Sequence, residues 1–161
     1  MSTSTQEMSY KKFDRDLYEK YDTLGKQTVK HFMKQLGYRL VSEEEAYKSH
    51  DLVFEKNGDE CRVEVQVCRS WETIRFPYAT INMPFRKKNN TCDLFVTVNR
   101  NGGALLIIPM ETMLSSPVIK KDTCYTKEEK FFNAPQSIAR QFFNVQGTWL
   151  NVEDETLAIT F

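Results

Sequence analysis

The stretch DLVFEKNGDECRVEVQ, residues 51–66, constrains the fold more than any other segment. Asn-Gly between two runs rich in β-branched and aromatic residues signals a tight hairpin. Both turn residues must take positive φ, and Asn and Gly do so at the least cost. A turn centred on Asn57-Gly58 pairs Phe54 with Cys61 and Leu52 with Val63. Side chains alternate across a strand, so these four residues, continued by Val65 and Val67, make one apolar face. The other face sets Val53 across from Arg62 and Asp51 across from Glu64, with Gln66 and Cys68 beyond. A four-residue loop on the same bond keeps this register, whereas an odd-length loop does not.

The rest of the chain supplies what such a hairpin needs to pack against. Leu17, Tyr21, Leu24, Thr28, Phe32 and Leu36 recur at steps of three and four, which predicts a helix from residue 14 to about 36. Gly37 stands where a left-handed residue ends such a helix, and Tyr38–Val41 opens a strand. CDLFVTVN (92–99) and ALLIIP (104–109) read as buried central strands around the turn NRNGG. RSWETIRFPYATINMPFRKKNNT reads as loop and short helix. Residues 127–144 read as a helix broken at Pro135, with an apolar face of Ile138, Phe142 and Phe143, and GTWLNVEDETLAITF as one last strand. Trp71 and Trp149 read as core or rim packing. Helix, strands, loop, strands, helix describes a mixed α/β or α+β domain over residues 13–161, preceded by a flexible polar tail over residues 1–12.

Composition narrows the function classes. The chain has 161 residues, enough for one domain with a core. Lys+Arg equals Asp+Glu at 22 each, so a surface for polyanions must be a local patch. No apolar run is long enough for a membrane helix, and MSTSTQEMSYKK lacks the apolar region of a secretory signal. The four cysteines form no CxxC pair, and Cys61 and Cys68 point to opposite faces of one strand. Buried thiols in a reducing, cytoplasmic setting are the plain reading. With His31 and His50 as the only histidines, nothing points to a Ser or Cys triad, and NGG at 101–103 is a turn rather than a phosphate loop.

The chemistry of interest lies in Asp51 and Glu64. Like charges directly opposite on a sheet repel. Either the pair splays into water, as Glu55 opposite Glu60 can near the turn, or a cation lies between them. Mg²⁺ takes one or two carboxylates plus waters at about 2.0–2.1 Å. Asp51, Glu64 and the carbonyl of Val65 would form such a half-shell, and the metal would activate water and neutralise a phosphodiester. Gln66 projects toward the same place, where it would orient the attacking water. Arg86-Lys87-Lys88 with Asn89 and Asn90, together with Arg69 and Arg75, are the candidates for phosphate contact, against the alternative of an ordinary solvated loop. Phe76 and Tyr78 are core anchors before they are base-stacking rings. Glu43-Glu44-Glu45 is a solvated charge run.

A helix ending in LGYRL, an acid opening a hairpin, and VEVQV in the return strand resemble the PD-(D/E)XK nuclease superfamily over roughly residues 14–110. In detail the pattern is similar to the branch that holds small phage-like and intron-encoded homing endonucleases. The resemblance implies a restriction-endonuclease-like mixed β-sheet core flanked by helices. It also implies Mg²⁺-dependent hydrolysis of double-stranded DNA, with Mn²⁺ as a substitute, to 5′-phosphate and 3′-hydroxyl ends. Carried over, Asp51 is the first acid, Glu64 the second, and Gln66 stands where lysine is usual. His50 replaces the proline before the first acid. The helix-borne glutamate of many members aligns with Lys26, with Asp22 one turn earlier. A homodimer or higher homo-oligomer would match the two-fold symmetry of duplex DNA, and a phage-infected host cell is one setting for such an enzyme. Without the lysine, the alternative is a catalytically inactive module of the same fold that binds nucleic acid or a protein partner. A structural or anti-defence protein of a virus is a third reading.

Overall fold

Helix α1 spans Arg15–Gln35, and both of its ends are set by local chemistry. Asp14 caps the start, its carboxylate accepting the Leu17 N–H at 3.1 Å. At the other end Gly37 takes φ +91°, Gly37 N–H donates to Lys34 O and Tyr38 N–H to Met33 O, both at 3.0 Å. Those two bonds are the Schellman closure expected from a glycine at that position. In this computed structural model residues 14–43 and 52–161 are described; the expected tail (1–12), Glu44, Glu45, His50 and Asp51 lie outside them. Of the apolar stripe, Tyr21, Thr28, Phe32 and Leu36 are buried, and Gly25, Val29 and Met33 complete the inward face.

Ten strands follow. β1 (Arg39–Glu43), β2 (Leu52–Lys56), β3 (Asp59–Cys68), β5 (Leu94–Asn99), β6 (Ala104–Pro109), β9 (Arg140–Val145) and β10 (Thr148–Asn151) form a seven-stranded sheet in the order β1-β2-β3-β5-β6-β9-β10. β4 (Thr80–Pro84), β8 (Glu129–Pro135) and β7 (Val118–Lys121) form a second, three-stranded sheet in the order β4-β8-β7. A short helix, α2 (Met110–Leu114), follows β6. The hairpin has the register expected from its turn: Leu52 pairs Val63, Val53 pairs Arg62, Phe54 pairs Cys61 and Glu55 pairs Glu60. Asn57 and Gly58 have φ of 54° and 85°. β3 and β5 run parallel, with Glu64 beside Phe95 and Gln66 beside Thr97.

Alternation divides the interior into two cores. Leu52, Phe54, Cys61, Val63, Leu94, Val96, Val98, Leu105 and Ile107 face α1, with Val65 and Val67 packed against the same cluster. Phe95, Ala104, Leu106 and Ile108 face the other way and pack with Met83, Phe132 and Met113 from the small sheet and α2. β5 and β6 are covered on both faces, which is why they read as unbroken apolar runs. The architecture is a mixed α+β fold: helix, large sheet, small sheet. No helix among the described residues is long and apolar enough to cross a membrane.

Three expectations need correction. Residues 127–144 are not a helix but β8, a 3-10 turn at Gln136–Ile138, and β9. Phe142 packs in the α1-side core while Phe143 packs against the other, as adjacent strand residues must, and Ile138 is exposed. The overlooked signal is Gln146-Gly147, a turn with φ of 51° and 91° that joins β9 to β10. Second, the segment read as loop and short helix holds the 3-10 turn Phe85–Lys87 but also the strand β4. Third, the thiols are not uniformly buried. Cys61 and Cys92 are, Cys68 is half-buried, Cys124 is exposed, and all four are free. Cys61 and Cys68 do face opposite cores. Trp71 and Trp149 are both fully buried.

Candidate functional site

β2 pairs with β3 only from Lys56–Asp59 to Leu52–Val63. From Glu64 onward no described strand covers that edge of β3. A cleft of about 610 Å³ opens there, walled by α1 (Tyr18, Tyr21, Asp22), by β3 itself, and by the β7–β8 connection at Thr123–Thr126. Its rim carries Arg69, Arg86 and Lys87.

Glu64 is the focus. It is only 5 % exposed. A buried carboxylate is tolerated when charge and hydrogen bonds compensate its lost hydration, and Glu64 has both. Lys87 Nζ lies 2.6 Å from Oε2, and Asn90 Nδ2 donates to Oε1 at 2.8 Å. Asn90 is fixed in turn, because its Oδ1 accepts the Cys92 N–H at 2.8 Å. Lys87 and Asn90 had been candidates for phosphate contact; here both engage the acid.

The other sequence-derived site residues divide plainly. Gln66 and Val65 line the cleft beside Glu64. The Gln66 amide nitrogen donates to the backbone carbonyl of Asn82 on β4 at 3.2 Å. Asp51 lies outside the described residues. Asp22 lines the cleft and pairs with Lys26 at 3.1 Å, and Lys26 is itself buried. The aligned helix position thus holds a lysine whose charge is met by the acid one turn earlier. Arg69 lies over the Tyr21 ring at 4.9 Å, and Arg86 is 3.9 Å from Glu129. Lys88 sits over the Phe85 ring at 5.3 Å and is not part of the cleft lining. Arg75 is elsewhere, in a separate depression with Gln136 and Asp154. The structure therefore brings together Glu64, Val65, Gln66, Arg69, Arg86 and Lys87. It leaves Arg75 and Lys88 apart. Of the rings weighed for stacking, Phe76 is buried and Tyr78 is half-exposed, its hydroxyl bonded to Ser70 Oγ at 2.7 Å.

Among the described residues no three His, Cys, Asp or Glu side chains converge as a metal cage. Mg²⁺ does not require one. A single buried carboxylate with a neighbouring carbonyl and room for water is the donor set it takes at open sites. Glu64 at the edge of the cleft, with the Val65 carbonyl next along the strand, is compatible with that set.

No family model matches the chain, and no curated protein matches it. The fold is similar to that of a bacterial homing endonuclease. The two share 14 % identity at a TM-score of 0.43, over 60 % of this chain and 71 % of that one.

Sequence reasoning missed the walls. Tyr18 and Thr123–Thr126 gave no signal, and the second group precedes a segment misread as helix.

Proposed function

We propose that the protein is a metal-dependent DNA endonuclease with a PD-(D/E)XK-type site in which glutamine replaces the motif lysine. The observation that carries this reading is Glu64: a buried carboxylate on β3, beside a cleft lined by Arg69, Arg86 and Lys87. Asp51, which the Asn57-Gly58 register assigns as the partner of Glu64, would join it and the Val65 carbonyl in holding Mg²⁺ or Mn²⁺. Bound there, the metal supplies Lewis-acid charge and an acidified water. Arg69 and Arg86 would hold phosphate oxygens of the duplex. Gln66, its nitrogen tied to Asn82 O, would keep its amide oxygen as acceptor for a proton of the attacking water. Water adds to phosphorus and the bond to the 3′ oxygen breaks, which leaves a 5′-phosphate and a 3′-hydroxyl. Cutting both strands is simplest for a homodimer.

The test is nicking and linearisation of supercoiled plasmid with Mg²⁺, Mn²⁺ or EDTA, for wild type and Glu64→Ala. Metal-dependent cutting that disappears in the variant supports the proposal. Equal cutting by both proteins would place the activity elsewhere. One observation favours the second reading, a non-catalytic binding module: both Glu64 oxygens are already satisfied by protein donors. That reading expects DNA or protein binding with no cutting in any metal.

A further inference from the structure

We infer that Lys87 is a displaceable counter-ion: it pairs with Glu64 Oε2 and is released toward the scissile phosphate when a divalent cation takes that oxygen. The inference rests on the nuclease reading and assigns a role that neither the motif nor its alignment gives.

The two partners of Glu64 are not equivalent. Asn90 is held at both ends of its amide, by Glu64 Oε1 and by the Cys92 N–H. It fixes the plane of the carboxylate. Lys87 reaches Oε2 from the end of a 3-10 turn, Phe85–Lys87, on a flexible four-carbon stem. Its side chain is 26 % exposed, against 7 % for that of Glu64. One oxygen is therefore held by a donor bonded at both ends of its amide, and the other by the tip of a long side chain that lines the cleft.

An ammonium at 2.6 Å and a metal ion compete for the charge of one carboxylate oxygen. Mg²⁺ or Mn²⁺ would sit about 2 Å from Oε2, and the two positive charges would repel at close range in a poorly hydrated site. Metal binding at Oε2 therefore loosens the hold on Lys87 and favours its release. Lys87 then stands free in a cleft where Gln66 brings no charge, Arg86 is beside Glu129 and Arg69 lies on Tyr21. Charge developing on a phosphate beside Glu64 would meet Lys87 first. The chain thereby supplies from the segment before β5 the cation that its β3 motif lacks.

The test separates displacement from delivery. Mn²⁺ would be titrated into wild type, Lys87→Met, Lys87→Arg and Glu64→Gln, with free Mn²⁺ followed by electron paramagnetic resonance. Removing the competing ammonium should tighten Mn²⁺ binding of Lys87→Met about tenfold, the worth of one charge-assisted hydrogen bond. Lys87→Arg should stay near wild type, and Glu64→Gln should lose the site. Plasmid nicking at saturating Mn²⁺ should fall about 100-fold in Lys87→Met. Should that variant not fold in EDTA, Lys87→Gln replaces it and is read the same way. Equal or weaker Mn²⁺ binding by the uncharged variant would overturn displacement while leaving the nuclease reading intact. Undiminished nicking would overturn delivery to phosphate. Failure of wild type and Lys87→Met alike to bind Mn²⁺ would overturn the nuclease reading, and this inference with it.

Discussion

Gly25 sets the distance between α1 and the strand that carries Glu64, and replacing it tests that contact directly. A Cβ at this position would lie 2.8 Å from Val67 Cγ2 and 3.0 Å from Val65 Cγ1. Carbon pairs settle at about 3.5–4.0 Å, so either the helix lifts by roughly 0.5–1 Å or two stiff β-branched side chains leave their rotamer wells. Overpacking of this kind costs about 1–3 kcal/mol. Alanine in place of glycine within a helix returns about 0.5–1 kcal/mol. The difference predicts that Gly25→Ala is destabilised by up to roughly 2.5 kcal/mol, with a central value of about 1 kcal/mol. Without the close contact the same substitution would stabilise, so the sign of the effect decides. Urea unfolding should show a lower midpoint with an unchanged slope. Val67→Ala removes the nearer methyl, so the double variant should be more stable than the sum of the two single losses by at least about 0.5 kcal/mol. A raised midpoint for Gly25→Ala, or strict additivity, would refute the account of how α1 seats on β3.

Other outcomes follow from single contacts. Gln35 donates to the carbonyls of Trp149 and Ala158 and accepts the Trp149 N–H, which ties α1 to β10 and the C-terminal segment; Gln35→Ala should cost about 2–3 kcal/mol in urea unfolding. Burial, reinforced by the Asp93 carboxylate, pushes the Cys61 thiol up to about 12. The folded protein therefore keeps a proton that the unfolded chain releases. This contribution is complete below the ordinary thiol range near pH 8.5 and is lost as pH rises toward the folded value. Wild type should then lose more melting temperature between pH 8 and pH 10.5 than Cys61→Val does, and equal losses would discount the thiol. With a thiol-specific chromogenic reagent, exposed Cys124 should react in the native protein, Cys68 more slowly, and buried Cys61 and Cys92 only on unfolding.

What could be read from the sequence was what local geometry enforces. Asn57-Gly58 dictated the turn, and strict alternation then left one register that buries Leu52, Phe54, Cys61 and Val63 together. Gly37 ended the helix because a left-handed residue was needed there. β5 and β6 announced themselves as apolar runs because both of their faces are covered. The spacing of Ile138, Phe142 and Phe143 misled because a period near four fits a helix, while Phe142 and Phe143 serve two different cores. That Glu64 and Gln66 share one face of β3, opposite the face of Cys61 and Val63, was legible through the hairpin. That Lys87 and Asn90 would converge on Glu64 was not, since no local pattern encodes a meeting across 23 and 26 residues.

That meeting follows from the parallel pairing of β3 with β5 in the large sheet. Because β3 and β5 point the same way, a chain that leaves β3 at Cys68 must travel back to begin β5 at Leu94, opposite Val63. The end of that return passes beside Glu64 whatever its sequence. Arg62 N–H donates to the Asp93 carboxylate at 2.8 Å across a separation of 31 residues and pins the arrival. The hairpins β2–β3, β5–β6 and β9–β10 close over short turns, so their formation demands little chain entropy; the parallel seam is the slower closure. Glu64 would then remain hydrated in a chain whose hairpins are formed but whose seam is open. Its burial and its neutralisation by Lys87 would occur in a single event. Amide hydrogen exchange along β5 would therefore time the assembly of the site as well as that of the sheet.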